Sequence, residues 1–280
     1  KDDVIFYGEG WNMGDLEYED RACSDHHDRI HHMAFFNDTF RDVVKGATFD
    51  TCAKGYIGGD TNYAFGVKYA FYGSILDINY DARFSDANQS INYVECHDNH
   101  TLFDKLKLSN SDEDDEMLLK RVRLANGILL LSFGVPFIHM GQEIGLSKRG
   151  NANSYNCLKI NQMDWSLVDK RYEMVCFVRD LIRLRKAAEL YSLHTREEIG
   201  TGCTEFIERD NCLILKCTNP KLLHGYKEVL FMLNPTTDIV NFDLEGEYDL
   251  VFSSPGKLPQ SMKVTQYLLA PCVVAMLTRK

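Results

Sequence analysis

The 280-residue sequence predicts two kinds of structure in succession: an α/β unit with a parallel sheet up to about residue 194, and an antiparallel all-β unit over 195–280. The first prediction rests on short apolar runs that alternate with helical patterns, the rhythm of βα units. The second rests on a change in that rhythm, after which strand-like runs and turn residues follow one another with no helix between them.

Taken in order, the strand candidates of the first unit are 4–8 (VIFYG), 33–38 (MAFFND), 90–98 (SINYVECHD) and 134–144 (GVPFIHMGQEI). An apolar run bounded by glycine, such as 4–8, reads as a buried strand. Of the helical stretches, 112–134 has an acidic first turn behind Ser111, which suits the positive end of a helix dipole. The stretch 171–190 places Val175, Val178, Leu181, Ile182 and Leu184 on one face, with basic residues towards its end. In the second unit, 204–218 predicts a hairpin turning at Asp210-Asn211. Two strands are expected around Pro235-Thr236-Thr237 and further strands in 247–254 and 266–279, the last interrupted at Pro271. A β-sandwich is the expected form.

A formal net charge of −10 argues against nucleic acid or an anionic membrane as partner, since both need a basic surface, and a neutral polar substrate fits better. The longest apolar run is broken by Gly134 and Pro136, so no transmembrane helix is indicated. The nine cysteines include no C-x-x-C pair and predict neither a disulfide framework nor a zinc ribbon. They are expected to be unpaired core residues, a usage that favours a reducing, cytoplasmic setting. Because the sequence opens on a strand and not on Met, its biological N-terminus is expected upstream, which leaves export open. The stretch DHHDRIHH (25–32) spaces His27 and His31 by one helical turn, but no fixed acidic or cysteine ligand completes a metal set.

The chemistry gathers where the strand candidates end. The first leads to Glu9 and Trp11, the third to Glu95, His97, Asp98, Asn99 and His100, and the fourth to Gln142 and Glu143. In a (β/α) barrel the C-terminal strand ends form the site. Paired carboxylates beside a histidine and an indole suit carbohydrate chemistry, because glycosidases work with two acids and sugars stack on aromatic faces. Glu143 is expected to bond neighbouring backbone amides instead.

YGEGWNMG (7–14) and INYVECHDNHTLFDKL (91–106) resemble two signature regions of the type I pullulanases, debranching members of the α-amylase superfamily. FFNDTFRDVVKG (35–46), GVPFIHMGQEIGLSKRGNANSYN (134–156) and INQMDW (160–165) are similar to further segments of that family. The resemblance implies the C-terminal half of a (β/α)8 barrel, strands five to eight, over 1–194, followed by a β-sandwich domain. It further implies a hydrolase of α-1,6 branch linkages in pullulan and branched α-glucans, working with retention. Glu9 matches the general acid/base, Asp98 the second carboxylate and His97 its sugar-binding neighbour, while Trp11, Asn153 and Tyr155 match substrate-lining positions. Cys96 stands where serine is commoner in the family. The histidine-rich stretch becomes a surface helix after strand five, its histidines solvated or incidental. No cofactor is implied in this chain, and calcium is a question for the remainder of the barrel only.

The family's nucleophilic aspartate lies on the strand before the acid, some 30 residues upstream, whereas only eight residues precede Glu9. Asp42 and Asp86 are not on a preceding strand. The chain is therefore expected to be a fragment, inactive alone, with an open barrel edge that the missing half or a second copy would cover. A non-catalytic α-glucan-binding protein and another superfamily enzyme, such as an isoamylase, are the alternatives.

Overall fold

The computed structural model describes residues 4–78, 80–202, 205–218, 225–254 and 262–280. Four strands, β1 (Phe6–Gly8), β2 (Met33–Asn37), β3 (Ser90–Asn92) and β4 (Val135–Pro136), pair in sequence order and all in parallel. Parallel neighbours require crossover connections. Here α1 (Asp38–Lys45) and α2 (Ala64–Phe71) link β2 to β3, and α3 (Leu102–Ser109) and α4 (Asp115–Leu131) link β3 to β4. As a result all four C-terminal strand ends lie on one edge.

The sheet is held by buried amides as well as by its ladder. Asn37, fully buried, donates to Ser74 Oγ and Ser90 Oγ, each at 2.9 Å, and its Oδ1 caps α1 by accepting from Phe40 N. Asn92, equally buried, donates to Ser132 Oγ and to the Phe133 carbonyl, which ties β3 to the end of α4.

The expectation that the first strand is buried is corrected. Val4, Ile5, Phe6 and Tyr7 are 57–65% exposed. Among the described residues β1 pairs with β2 alone, so its other edge and much of its surface have nothing to pack against. Burial depends on neighbours, which an apolar run does not specify.

After β4 come two short helices, α5 (Leu158–Asn161) and α6 (Trp165–Lys170), then α7 (Tyr172–Ala187) and α8 (Arg196–Gly200). The expected acidic N-terminus of α4 is present, with Asp114 as the cap accepting from Met117 N. The buried face of α7 is Met174, Phe177, Val178, Leu181 and Leu184, whereas Val175 and Ile182 are only partly buried. The histidine-rich stretch forms a 3-10 turn, not a helix. His26 is buried against Tyr18, and partly buried His27 bonds Ser85 Oγ, so both have a partner in the fold. Among the described residues no three His, Cys, Asp or Glu side chains cluster as a metal site.

The second sheet is antiparallel and contains β5 (Glu205–Arg209), β6 (Cys212–Cys217), β7 (Glu228–Asn234), β8 (Val240–Ser253), β9 (Met262–Leu269) and β10 (Val273–Arg279). The hairpin turns at Asp210-Asn211 as expected, both with positive φ, and Pro271 falls between β9 and β10; Thr218 lies beyond the end of β6, and Thr204 lies outside the described residues. Where a β-sandwich is expected, hydrogen bonds join these six strands in one continuous order, β5-β6-β7-β10-β8-β9, and the sheet folds on itself far enough to bring Arg209 of β5 over the Phe242 ring of β8. The runs read as separate strands in 240–254 are one fourteen-residue strand, irregular around Gly246, where a φ of 108° and a register shift bend it. The expectation of unpaired cysteines fails at Cys217, which is disulfide-bonded at the end of β6, a position that spacing along the chain does not reveal.

Strand alternation splits this sheet between two cores. Leu213, Leu215, Val229, Phe231, Leu233, Val274 and Met276 join the main core shared with the helices. Their neighbours Cys212, Ile214, Leu230, Met232, Val273, Ala275 and Leu277 line a second cluster with Phe242, Tyr248 and Leu250. The central strands are thus buried on both faces, which explains their continuous apolar sequence. The sheet docks on α4 at Gly127, where an added Cβ would stand 2.2 Å from Val274 Cγ1. Gly127→Ala would gain about 1 kcal/mol of helix propensity. The rigid β-branched Val274 cannot yield cheaply, and overpacking costs about 1–3 kcal/mol. Urea denaturation is therefore expected to find the variant less stable, by up to about 2 kcal/mol.

Lys45, at the end of α1, is 3% exposed and lies among Arg41, Asp42, Glu95 and Cys96. Burial, aided by Arg41, pulls its ammonium down to about 8. Below that pH the group is charged in both states and the fold bears the desolvation cost. Between about 8 and 10.5 the folded chain has released a proton that the unfolded chain still holds, so stability rises with pH. Lys45→Met is expected to stabilise the chain by about 2–3 kcal/mol at neutral pH and to flatten that rise. Thermal denaturation on either side of the window checks it.

Candidate active site

The edge formed by the C-terminal strand ends begins with Glu9, directly after β1. It is exposed and forms no hydrogen bond among the described residues. Gly10, which follows, has a φ of 73°, and a Cβ there would meet Phe35 Cδ1 at 2.5 Å. Glycine at this position lets the chain turn sharply over the Phe35 ring and leaves the carboxylate free above the sheet. Trp11 is partly exposed in the same turn. The following loop is held by Arg21, whose guanidinium donates to Asn12 Oδ1 and to the carbonyls of Leu16 and Gly14.

The segment after β3 carries the second group. His97 and Asp98 are 71% and 59% exposed, with His97 Nε2 3.3 Å from Asp98 Oδ1. Asn99 turns the chain with a φ of 57°. Beneath this exposed pair lies a buried support. Lys148 Nζ donates to the His97 carbonyl at 2.9 Å, and burial lowers the affinity of that ammonium for its proton. Buried Asp104 accepts from Ser147 Oγ at 2.6 Å and Lys148 N at 2.7 Å. Thr101 caps α3 through Asp104 N, so one short helix fixes both the turn above it and the loop beyond β4.

The loop after β4 closes the group from the other side. A cavity of about 220 Å³ is lined by His97, Thr101, His139, Leu146, Lys148, Tyr155 and Asn161. Of the residues singled out from sequence, His97 and Tyr155 meet at this cavity, with Asp98 beside it. Glu9 and Trp11 stand on the same edge, two strands away. Asn153 is exposed on the turn before Tyr155 and does not line the cavity. Gln142 points into the core, bonding Asn126, and Glu143 accepts from Gly141 N, the structural role expected of it. The contributions of His139 and Lys148 were not legible in the sequence. His139 does, however, follow the fourth strand just as Glu95 and His97 follow the third, and that spacing is a usable signal.

No family model matches the chain. It is 34% identical over 249 residues to the pullulanase of Bacillus subtilis strain 168, an alignment that takes in 88% of this chain and 35% of that protein. The crystal structure of the type I pullulanase from the same strain, complexed with maltose, superposes with a TM-score of 0.93 at 32% identity, over 99% of this chain and 40% of that one. The pullulanase of Anoxybacillus sp. LM18-11 complexed with maltotetraose gives a TM-score of 0.89 at 32% identity, with the same shares covered. The chain thus spans about 35–40% of the length of these relatives. Similarity in sequence across both sheets, and in backbone over nearly every residue, places the chain in the pullulanase family.

Proposed function

We propose that this chain supplies the acid/base half of a debranching glycoside hydrolase that cleaves α-1,6-glucosidic linkages in pullulan and branched α-glucans. Residues 1–194 would be strands five to eight of a (β/α)8 catalytic barrel, and 195–280 its accessory β domain. The observation that carries the reading is that Glu9, after β1, and His97-Asp98, after β3, stand on one edge of a parallel sheet. The maltose and maltotetraose in the related structures support an α-glucan as ligand.

In this reading Glu9 protonates the glycosidic oxygen of the leaving sugar and then takes a proton from the attacking water. Asp98 and His97 hold hydroxyls of the sugar at the cleavage point, with bonds that tighten as positive charge develops on its ring. Trp11 and Tyr155 offer faces for stacking, and Asn153 a polar contact from the outer turn. Retention also requires a nucleophilic carboxylate about 5–5.5 Å from the acid. Asp98 follows a strand two places from β1, a separation of about 10 Å at the usual strand spacing, so it does not suit that role. The nucleophile would come from strands outside these residues, on a segment that covers the open edge of β1.

The purified chain is expected to release no reducing sugar from pullulan. It should nevertheless be retarded in native gels containing pullulan, and not in gels containing dextran. Retardation lost in Asp98→Ala, and kept in Glu9→Gln, fits the division of roles. Reducing-sugar release that disappears in Glu9→Gln would contradict the missing nucleophile, and equal mobility in both gels would contradict the α-glucan.

A further inference from the structure

Glu95 is 1% exposed, and both of its oxygens are engaged. Oε2 accepts from the backbone N–H of Leu102, the first residue of α3, where a helix favours an anion. Oε1 lies 3.0 Å from Nδ1 of His139, 44 residues further along the chain. A carboxylate accepts, so the pairing places the hydrogen on Nδ1, and in the uncharged imidazole Nε2 is then an acceptor. That nitrogen has no partner among the described residues. The side chain is 27% exposed and lines the same cavity as His97, Lys148 and Tyr155.

A pair that served only to tie the loop after β4 to the turn after β3 would have no need to leave half of an imidazole open to a cavity. Resting on the reading of this edge as an α-glucan site, we propose that His139 is a sugar-contacting residue. Its Nε2 accepts a hydrogen bond from a glucosyl hydroxyl, and Glu95 is the positioning residue that fixes the tautomer. The ligand class follows from the chemistry of the wall. The cavity wall combines an imidazole acceptor, the remaining N–H donors of Lys148 and the aromatic face of Tyr155, a set of donors, acceptors and a flat apolar face that suits a polyol.

The test is imidazole ¹⁵N NMR of the whole chain during titration with maltotetraose, with affinities measured in parallel for His139→Ala and His139→Gln. Wild type is expected to show the Nδ1–H tautomer, and maltotetraose is expected to shift the Nε2 resonance. In Glu95→Gln the side-chain oxygen stays with Leu102 N and an amide N–H turns towards Nδ1, so the tautomer is expected to switch to Nε2–H. His139→Ala is expected to weaken maltotetraose binding about tenfold. His139→Gln keeps an acceptor and is expected to lose less, with its melting temperature unchanged. An Nε2 resonance that stays still at saturation, or wild-type affinity in His139→Ala, overturns this proposal alone. If wild type fails to bind maltotetraose, the α-glucan reading falls and this proposal falls with it.

Discussion

Asn37 and Asn92 have no exposure, and each amide would cost about 1–3 kcal/mol if its polar atoms were buried without partners. Their partners lie on different elements: Ser74 after α2, Ser90 on β3, Ser132 and Phe133 at the end of α4. The bonds can all form only when β2, β3 and the approach to β4 are in register, so a slip of one residue would break several together. Parallel strands of three and two residues have little ladder of their own. In so short a sheet, buried amides set the register, and the register determines which residues emerge together on the C-terminal edge.

That edge is built in two tiers. The exposed tier holds Glu9, His97 and Asp98, carboxylates and an imidazole open to a ligand. The tier below holds Glu95, Asp104 and Lys148, charged groups with almost no exposure, each committed to a backbone atom or a facing side chain. Buried charges are costly unless paired in this way, and breaking one pair strands the other member. The cost is consistent with pre-organisation, because the turn carrying His97 and Asp98 is fixed before any ligand arrives. Lys45 departs from this pattern: it is buried close to the same turn and its charge is unfavourable.

How much was legible in the sequence depended on how local each feature is. Glu9 between two glycines, the contiguous His97-Asp98 and the Asp210-Asn211 turn are encoded within a few residues, and they lie after β1, after β3 and between β5 and β6. The capping acid of α4 was legible for the same reason. The exposure of β1 was not, because it depends on a neighbouring strand and not on the composition of 4–8. The single bent sheet was hidden because Gly246 reads equally as a turn between two strands or as a bend within one. Glu95 with His139, and His97 with Lys148, meet across 44 and 51 residues, and only the folded arrangement brings such pairs together.

The account stands or falls on whether the C-terminal edge of the parallel sheet is where an α-glucan is held. A crystal structure of this chain with maltotetraose tests that most directly. The account predicts sugar hydroxyls within hydrogen-bonding distance of His97 and Asp98, with the chain of glucose units running towards Glu9. Maltotetraose seated on the antiparallel sheet, with the β1–β4 edge empty, would contradict it.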